Sequence, residues 1–219
     1  MRPIQKTISY AAADPNSAVT SETPVDGVDL TLGGAFASGG VVTFPEATTV
    51  DFTSADDISD VTFTVTGTDA NGLSQTDTVT GVNNDTVATT KLFKTITSIA
   101  VATVTTYTTE TVEVGNPDTP SFGYTAWWPL DLYNPNQVTT ISVNELSGAI
   151  TYSVEYTNED PFDTSITQLA VPHPAAAGAF TNATTSQTHS TTTLMRAVRV
   201  NFSAGYGSAR VTVTQQSTV

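Results

Sequence analysis

Val61-Thr-Phe-Thr-Val-Thr-Gly-Thr-Asp-Ala-Asn-Gly72 decides the fold class. Val61, Phe63 and Val65 fall on one face of an extended chain, and Thr62, Thr64 and Thr66 on the other. Asn71-Gly72 supplies the positive backbone angles of a tight hairpin turn, so Thr76-Asp-Thr-Val-Thr80 is expected to pair back antiparallel. Downstream, Leu92-Phe-Lys-Thr-Ile96 runs into Thr97-Ser-Ile-Ala-Val101. Ile96 and Ile99 are out of phase by one residue there, which predicts a bulge or bend. Thr111-Val-Glu-Val114 closes this block, and Gly115-Asn-Pro-Asp-Thr-Pro120 reads as a linker.

The same pattern recurs further along. Thr48–Phe52 has a counterpart in Thr139–Val143, and Val61–Val65 in Ile150-Thr-Tyr-Ser-Val154. Lys91-Leu-Phe-Lys94 aligns with Thr193-Leu-Met-Arg196, and Val112–Val114 with Val211–Val213. Four matches in unbroken order point to an internal duplication. The expectation is an all-β chain of two tandem Ig-like or jelly-roll-like β-sandwich modules. An N-terminal extended arm over 1–27 precedes module 1 over 28–115. An aromatic and Pro-rich junction over 116–137 leads to module 2 over 138–219. The stretch between Val171 and Thr193 reads as one long loop.

Composition agrees. Of 219 residues 44 are threonine, a β-branched residue that suits a pleated surface better than a helix. Seven basic against 21 acidic residues give a formal charge of −14, which excludes non-specific nucleic-acid binding as the main task. There is no cysteine, hence no disulfide, thiolate zinc site or cysteine nucleophile. No run approaches the ~20 apolar residues of a membrane helix, and Met1–Tyr10 contains no signal-peptide core.

Chemistry-bearing constellations are sparse. His173 and His189 lie in the presumed long loop without patterned support, and read as solvent-exposed rather than catalytic. Asp69-Ala-Asn-Gly72 has the opening of a calcium loop but no closing carboxylate, so a structural turn explains it better. Asp56-Asp57 and Glu159-Asp160 with Asp163 read the same way. No catalytic residue, cofactor or metal is expected. Phe122-Gly-Tyr-Thr-Ala-Trp-Trp-Pro-Leu-Asp-Leu-Tyr133 holds both tryptophans. It either packs a seam between the modules or offers a sugar-stacking platform or subunit contact. The candidate interaction residues are Arg2, Ile4 and Tyr10 on the arm, and Trp127, Trp128 and Tyr133 at the junction.

The run Val61–Gly72, with Thr78-Val-Thr-Gly81 and Lys94-Thr-Ile-Thr-Ser-Ile99, resembles a module of tailed-bacteriophage structural proteins. Trp128-Pro-Leu-Asp-Leu-Tyr133, Tyr152-Ser-Val-Glu-Tyr-Thr157 and Arg196-Ala-Val-Arg199 are similar to the second part of such proteins. The resemblance spans roughly residues 28–216. It implies a non-enzymatic β-sandwich virion component, assembled in the bacterial cytoplasm, without catalytic residues to carry over. A capsid decoration or cement protein fits best: a homo-oligomer contacting the major capsid protein through its arm. A neck, tail-tube or adaptor component touching portal or tail proteins is the alternative, and a glycan-binding module on the virion surface comes third. Specific nucleic-acid and membrane partners are not expected.

Overall fold

The computed structural model describes residues 3–102, 109–117, 123–131, 137–175 and 179–217. Among them the chain is all-β, with sixteen strands and no helix. In order these are β1 (Ile4–Tyr10), β2 (Asp14–Glu22), β3 (Ala37–Ser38), β4 (Val41–Thr48), β5 (Asp51–Thr53), β6 (Thr62–Thr68), β7 (Ser74–Thr80) and β8 (Thr86–Ala88). They continue with β9 (Phe93–Ala102), β10 (Val112–Asn116), β11 (Gly123–Tyr124), β12 (Trp128–Pro129), β13 (Gln137–Thr157), β14 (Val171–Pro172), β15 (Gln187–Thr191) and β16 (Ala197–Ser217).

Two units emerge, divided differently from the sequence expectation. One comprises Ala11–Gly123; the other combines Met1–Tyr10 with Tyr124–Val219. In the 11–123 unit, β3, β4, β9, β6 and β7 form one sheet in that order, and β2, β10, β5 and β8 a second. Between them lies a core that includes Phe44, Phe52, Phe63, Phe93, Ile96 and Ile99, each essentially inaccessible. Alternation places these side chains there: Val61, Phe63 and Val65 are fully buried while their threonine neighbours are half-exposed. The hairpin forms as expected, with Phe63 opposite Val79. Gly72 takes a φ of +83°, and Asp69 Oδ1 accepts the amides of Asn71 and Leu73. The bulge is also present. Thr66 opposes Ser98 but Gly67 opposes Ile96, so Thr97 is the extra residue.

The second unit repeats this pairing order. Its long strands β13 and β16 pair with each other along most of their length. β1 and β15 flank one end of that ribbon, in the order β1, β16, β13, β15; β12 and β14 flank the other, in the order β12, β16, β13, β14. Phe63 opposite Val101 and Val65 opposite Ile99 correspond to Tyr152 opposite Phe202 and Val154 opposite Val200. Phe52 opposite Val87 likewise corresponds to Val143 opposite Gln187. The units also differ: Phe52 pairs with Val114 but Val143 with Val211, a displacement of two residues from the sequence alignment, and β3 on β4 has no counterpart beside β12 among the described residues. The ribbon bends at Gly148, Gly205 and Gly207, all at positive φ. A Cβ at Gly205 would lie 1.9 Å from the Ala149 carbonyl oxygen. A second core, including Ile141, Tyr152, Phe180, Met195 and Phe202, fills this unit.

Several expectations are corrected here. Residues 4–10 and 14–22 are not an extended arm but strands, β1 on β16 and β2 on β10. β2 gives little signal because it buries three successive residues, Ser17, Ala18 and Val19, instead of alternating, and its pairing with β10 shifts register there. Gly115 and Asn116, read as linker, complete β10, and the 116–137 junction loses its first and last residues to β10 and β13. The stretch from Val171 to Thr193 is not one loop. It contains β14, β15 and an isolated bridge from Ala183 to Tyr152.

Candidate functional site

The expected interaction residues are described by the structure except for Arg2 and Tyr133, which lie outside the described residues, as does Phe122. Ile4 opposes Val213 and Tyr10 opposes Gly207 on the β1–β16 ladder. Tyr10 is buried, its ring 6.0 Å from that of Phe202. Those two residues therefore serve the core of the second unit.

Trp127 is 6% exposed. The Arg199 guanidinium lies 4.5 Å from its ring centroid and 4.3 Å from that of Tyr124. β16 carries Arg199 opposite Glu155 on β13, and Nε donates to Glu155 Oε2 at 2.7 Å. Asn201 Nδ2 donates to the other carboxylate oxygen at 3.1 Å. A cation held by a carboxylate and laid on two rings is a desolvated, mutually supporting set. Trp128, at the β12–β16 pairing, is partly buried against the same core. The indole face that would stack a sugar is thus occupied at Trp127.

The histidines are placed differently from expectation. His173 is not solvent-exposed but 5% accessible, and both ring nitrogens lack a hydrogen-bond partner. Its ring meets Phe180 edge-on at 5.1 Å, and Phe180 in turn meets His189 at 5.1 Å. Burial, reinforced by neighbouring His189, pushes the His173 pKa down to about 4. His189 is half-buried on β15, opposite Ile141. The two imidazoles thus flank Phe180 in an edge-on aromatic cluster.

The acidic turns are engaged in local bonding. Asp57 Oδ1 accepts the Ser59 amide and hydroxyl, and Asp163 Oδ1 those of Ser165. Asp56 accepts the Thr111 amide, Glu159 the Leu169 amide, and Asp160 pairs with Arg196 at 2.6 Å. Among the described residues no three His, Asp or Glu side chains converge on a metal position. The loop these carboxylates pin presents Phe162 and Leu169 outward, 74% and 66% exposed, while Leu194 near Arg196 is 62% exposed.

One feature escaped the sequence reading. On the outer face of the β2–β10–β5–β8 sheet a cavity of about 300 Å³ is lined by Ala13, Pro15, Asp51, Thr53, Thr86 and Asn116. Burial alone raises the Asp51 pKa to about 6. Nothing in Thr-Val-Asp-Phe marks Asp51 as special, because its surroundings come from strands distant in sequence. No protein-family model matches the chain, and no curated protein or solved structure shows significant similarity to it.

Proposed function

We propose that this chain is a non-enzymatic structural protein of a tailed-bacteriophage virion, and that it acts as a decoration or cement protein on the capsid. The observation that carries the reading is the recurrence of one strand order in two β-sandwich units whose outermost strands are regular and paired on one side only. β1 pairs with β16 alone, and β7 with β6 alone, among the described residues. Such edges accept a further strand or must be covered by a neighbour, and a closed oligomer covers them. The exposed Phe162, Leu169 and Leu194 supply apolar contact area of the kind that joins virion proteins. The formal charge of −14 keeps such a protein soluble before assembly and away from nucleic acid.

Within this proposal the two units derive from an internal duplication, and the partners are further copies of the chain and the major capsid protein. With residues 4–10 held on β16, the contact surface shifts from a free arm to the sandwich edges and the apolar loop. The occupied face of Trp127 removes the main support for a glycan site. A neck or tail position stays as the second reading, favoured by the acidic surface, which repels DNA in a channel. Cryo-electron microscopy of the assembled particle separates these. Copies distributed over the shell are the expected result; a single ring beneath the portal would establish the neck reading instead. Absence from the particle would overturn both.

A further inference from the structure

We propose that the outer face of the β2–β10–β5–β8 sheet carries a receptor site for an alkylammonium group, seated on Asp51 in the cavity that its small neighbours leave open. Asp51 lies between Gly115 on β10 and Ala88 on β8. Across the ladder Ala88 contributes only a methyl group beside its carboxylate, and the space over Gly115 is taken by the backbone of Asp14 and Pro15. Gly115 is obligatory: a Cβ would lie 1.9 Å from the Asp14 carbonyl oxygen and 2.6 Å from Pro15. That close approach draws the start of β2 over the sheet and makes Ala13 and Pro15 one wall of the cavity.

The polar groups of the lining divide unequally. Thr53 and Thr86 share a hydrogen bond of 2.9 Å between their hydroxyls. Asn116 donates to the Ala12 carbonyl at 2.7 Å and accepts from the Ser17 hydroxyl at 2.9 Å. The half-buried Asp51 carboxylate accepts no hydrogen bond from any described residue. It is the one charged group of the lining, an anion beside the apolar walls of Ala13 and Pro15. A half-buried carboxylate in that position calls for a charged donor.

The wall chemistry narrows the choice. Calcium needs six to eight oxygen ligands, and one carboxylate with two hydroxyls is too few. An alkylammonium brings three donors, for the carboxylate and the free lone pairs of Thr53 and Thr86, and its methylene stem lies along Ala13 and Pro15. About 300 Å³ is ample for a lysine side chain. No other charged residue lines the cavity. Asp14, opposite Asn116, and Glu113, opposite Thr53, are the titratable groups nearest in register, and both favour a cation. The same chemistry is offered by a lysine of a neighbouring protein and by a free polyamine.

The test is titration of the ¹⁵N-labelled full-length chain with n-butylammonium, Nα-acetyl-lysine N-methylamide and spermidine, followed by amide shifts at 150 mM salt. Saturable shifts at residues 51, 53, 86 and 116 are expected, with dissociation constants of about 1–10 mM for the monoamines. Asp51→Asn should weaken binding at least tenfold, while Glu113→Gln leaves it within about twofold. The Asp51 carboxyl ¹³C titration in the unmutated chain is independent of folding of the variant, and saturating butylammonium should lower its midpoint. Spermidine binding more than tenfold tighter than the lysine amide would identify a free polyamine as the ligand; comparable binding would identify a protein lysine. Shifts that persist in Asp51→Asn, or an Asp51 midpoint unmoved by ligand, would overturn the site.

Discussion

Arg199 Nε and Glu155 Oε2 lie 2.7 Å apart across the β13–β16 ladder, with both side chains only about one-sixth exposed. The guanidinium cannot retreat into water, because Tyr124 and Trp127 cover its faces. Removing it leaves Glu155 with Asn201 as its remaining side-chain donor, a largely buried charge without a counter-ion. Arg199→Ala is expected to lower stability by about 3 kcal/mol. Glu155→Gln with Arg199→Met should recover more than half of that loss. Urea denaturation measures both, and Trp127 emission should shift red in the single variant as its ring is uncovered.

The glycines of the bent ribbon test a different cause. Gly205 combines a φ of +80° with an opposing backbone oxygen 1.9 Å from any added Cβ. Gly39, at +61°, has nothing within 4 Å. Gly39→Ala therefore suffers backbone strain alone, about 1 kcal/mol. Gly205→Ala must also separate β13 from β16, and should lose at least twice as much. Equal midpoints in thermal unfolding would refute the steric account of the bend.

His173 gives a signed pH dependence. Its folded pKa of about 4 lies below the ordinary 6.5, so the unfolded chain takes up a proton that the fold refuses. The contribution is complete above pH 6.5 and is lost as pH falls from 6.5 towards 4. Allowing for solvent screening around the ring, the loss is on the order of 2 kcal/mol. His173→Phe should flatten this limb of a stability-against-pH curve while leaving pH 8 nearly unchanged.

Glu46 acts in the opposite direction. Burial raises its pKa from 4.5 to about 7 against the pull of Lys94, 3.9 Å away. The folded chain thus holds a proton that the unfolded chain releases. Stability linked to Glu46 is present below pH 4.5 and declines as pH rises from 4.5 through 7. Glu46→Gln should raise stability at pH 8 by about 2 kcal/mol and have little effect at pH 4. Lys94 keeps the Pro45 carbonyl as an acceptor in that variant. Denaturant midpoints at the two pH values check the sign.

What the sequence revealed follows from how each element is stabilised. The 61–72 hairpin and the bulge between Ile96 and Ile99 were legible because large apolar side chains mark the buried face at every step. β15, Gln-Thr-His-Ser-Thr, has no such marker. It is held by its backbone ladder and by hydroxyl pairs, Thr140 with Ser190 and Ser142 with Thr188. Threonine and serine on an outer face look the same in a loop and in a strand. The aromatic junction was legible as a concentration of rings, but the cation between two of them came from β16. The Asp51 cavity was invisible for a related reason: it depends on Gly115 and Ala88 flanking one aspartate, a coincidence of register rather than of neighbouring letters.

The pairing of Ile4 with Val213 has a consequence in time. On a ribosome adding about 5–20 residues per second, β1 emerges some 10–40 s before the part of β16 that it needs. The Ala11–Gly123 unit has all of its own strands by then and is able to fold while the first ten residues wait. Until then β1 has no partner strand, and emergence of β16 from the ribosome is the event that closes the second sandwich.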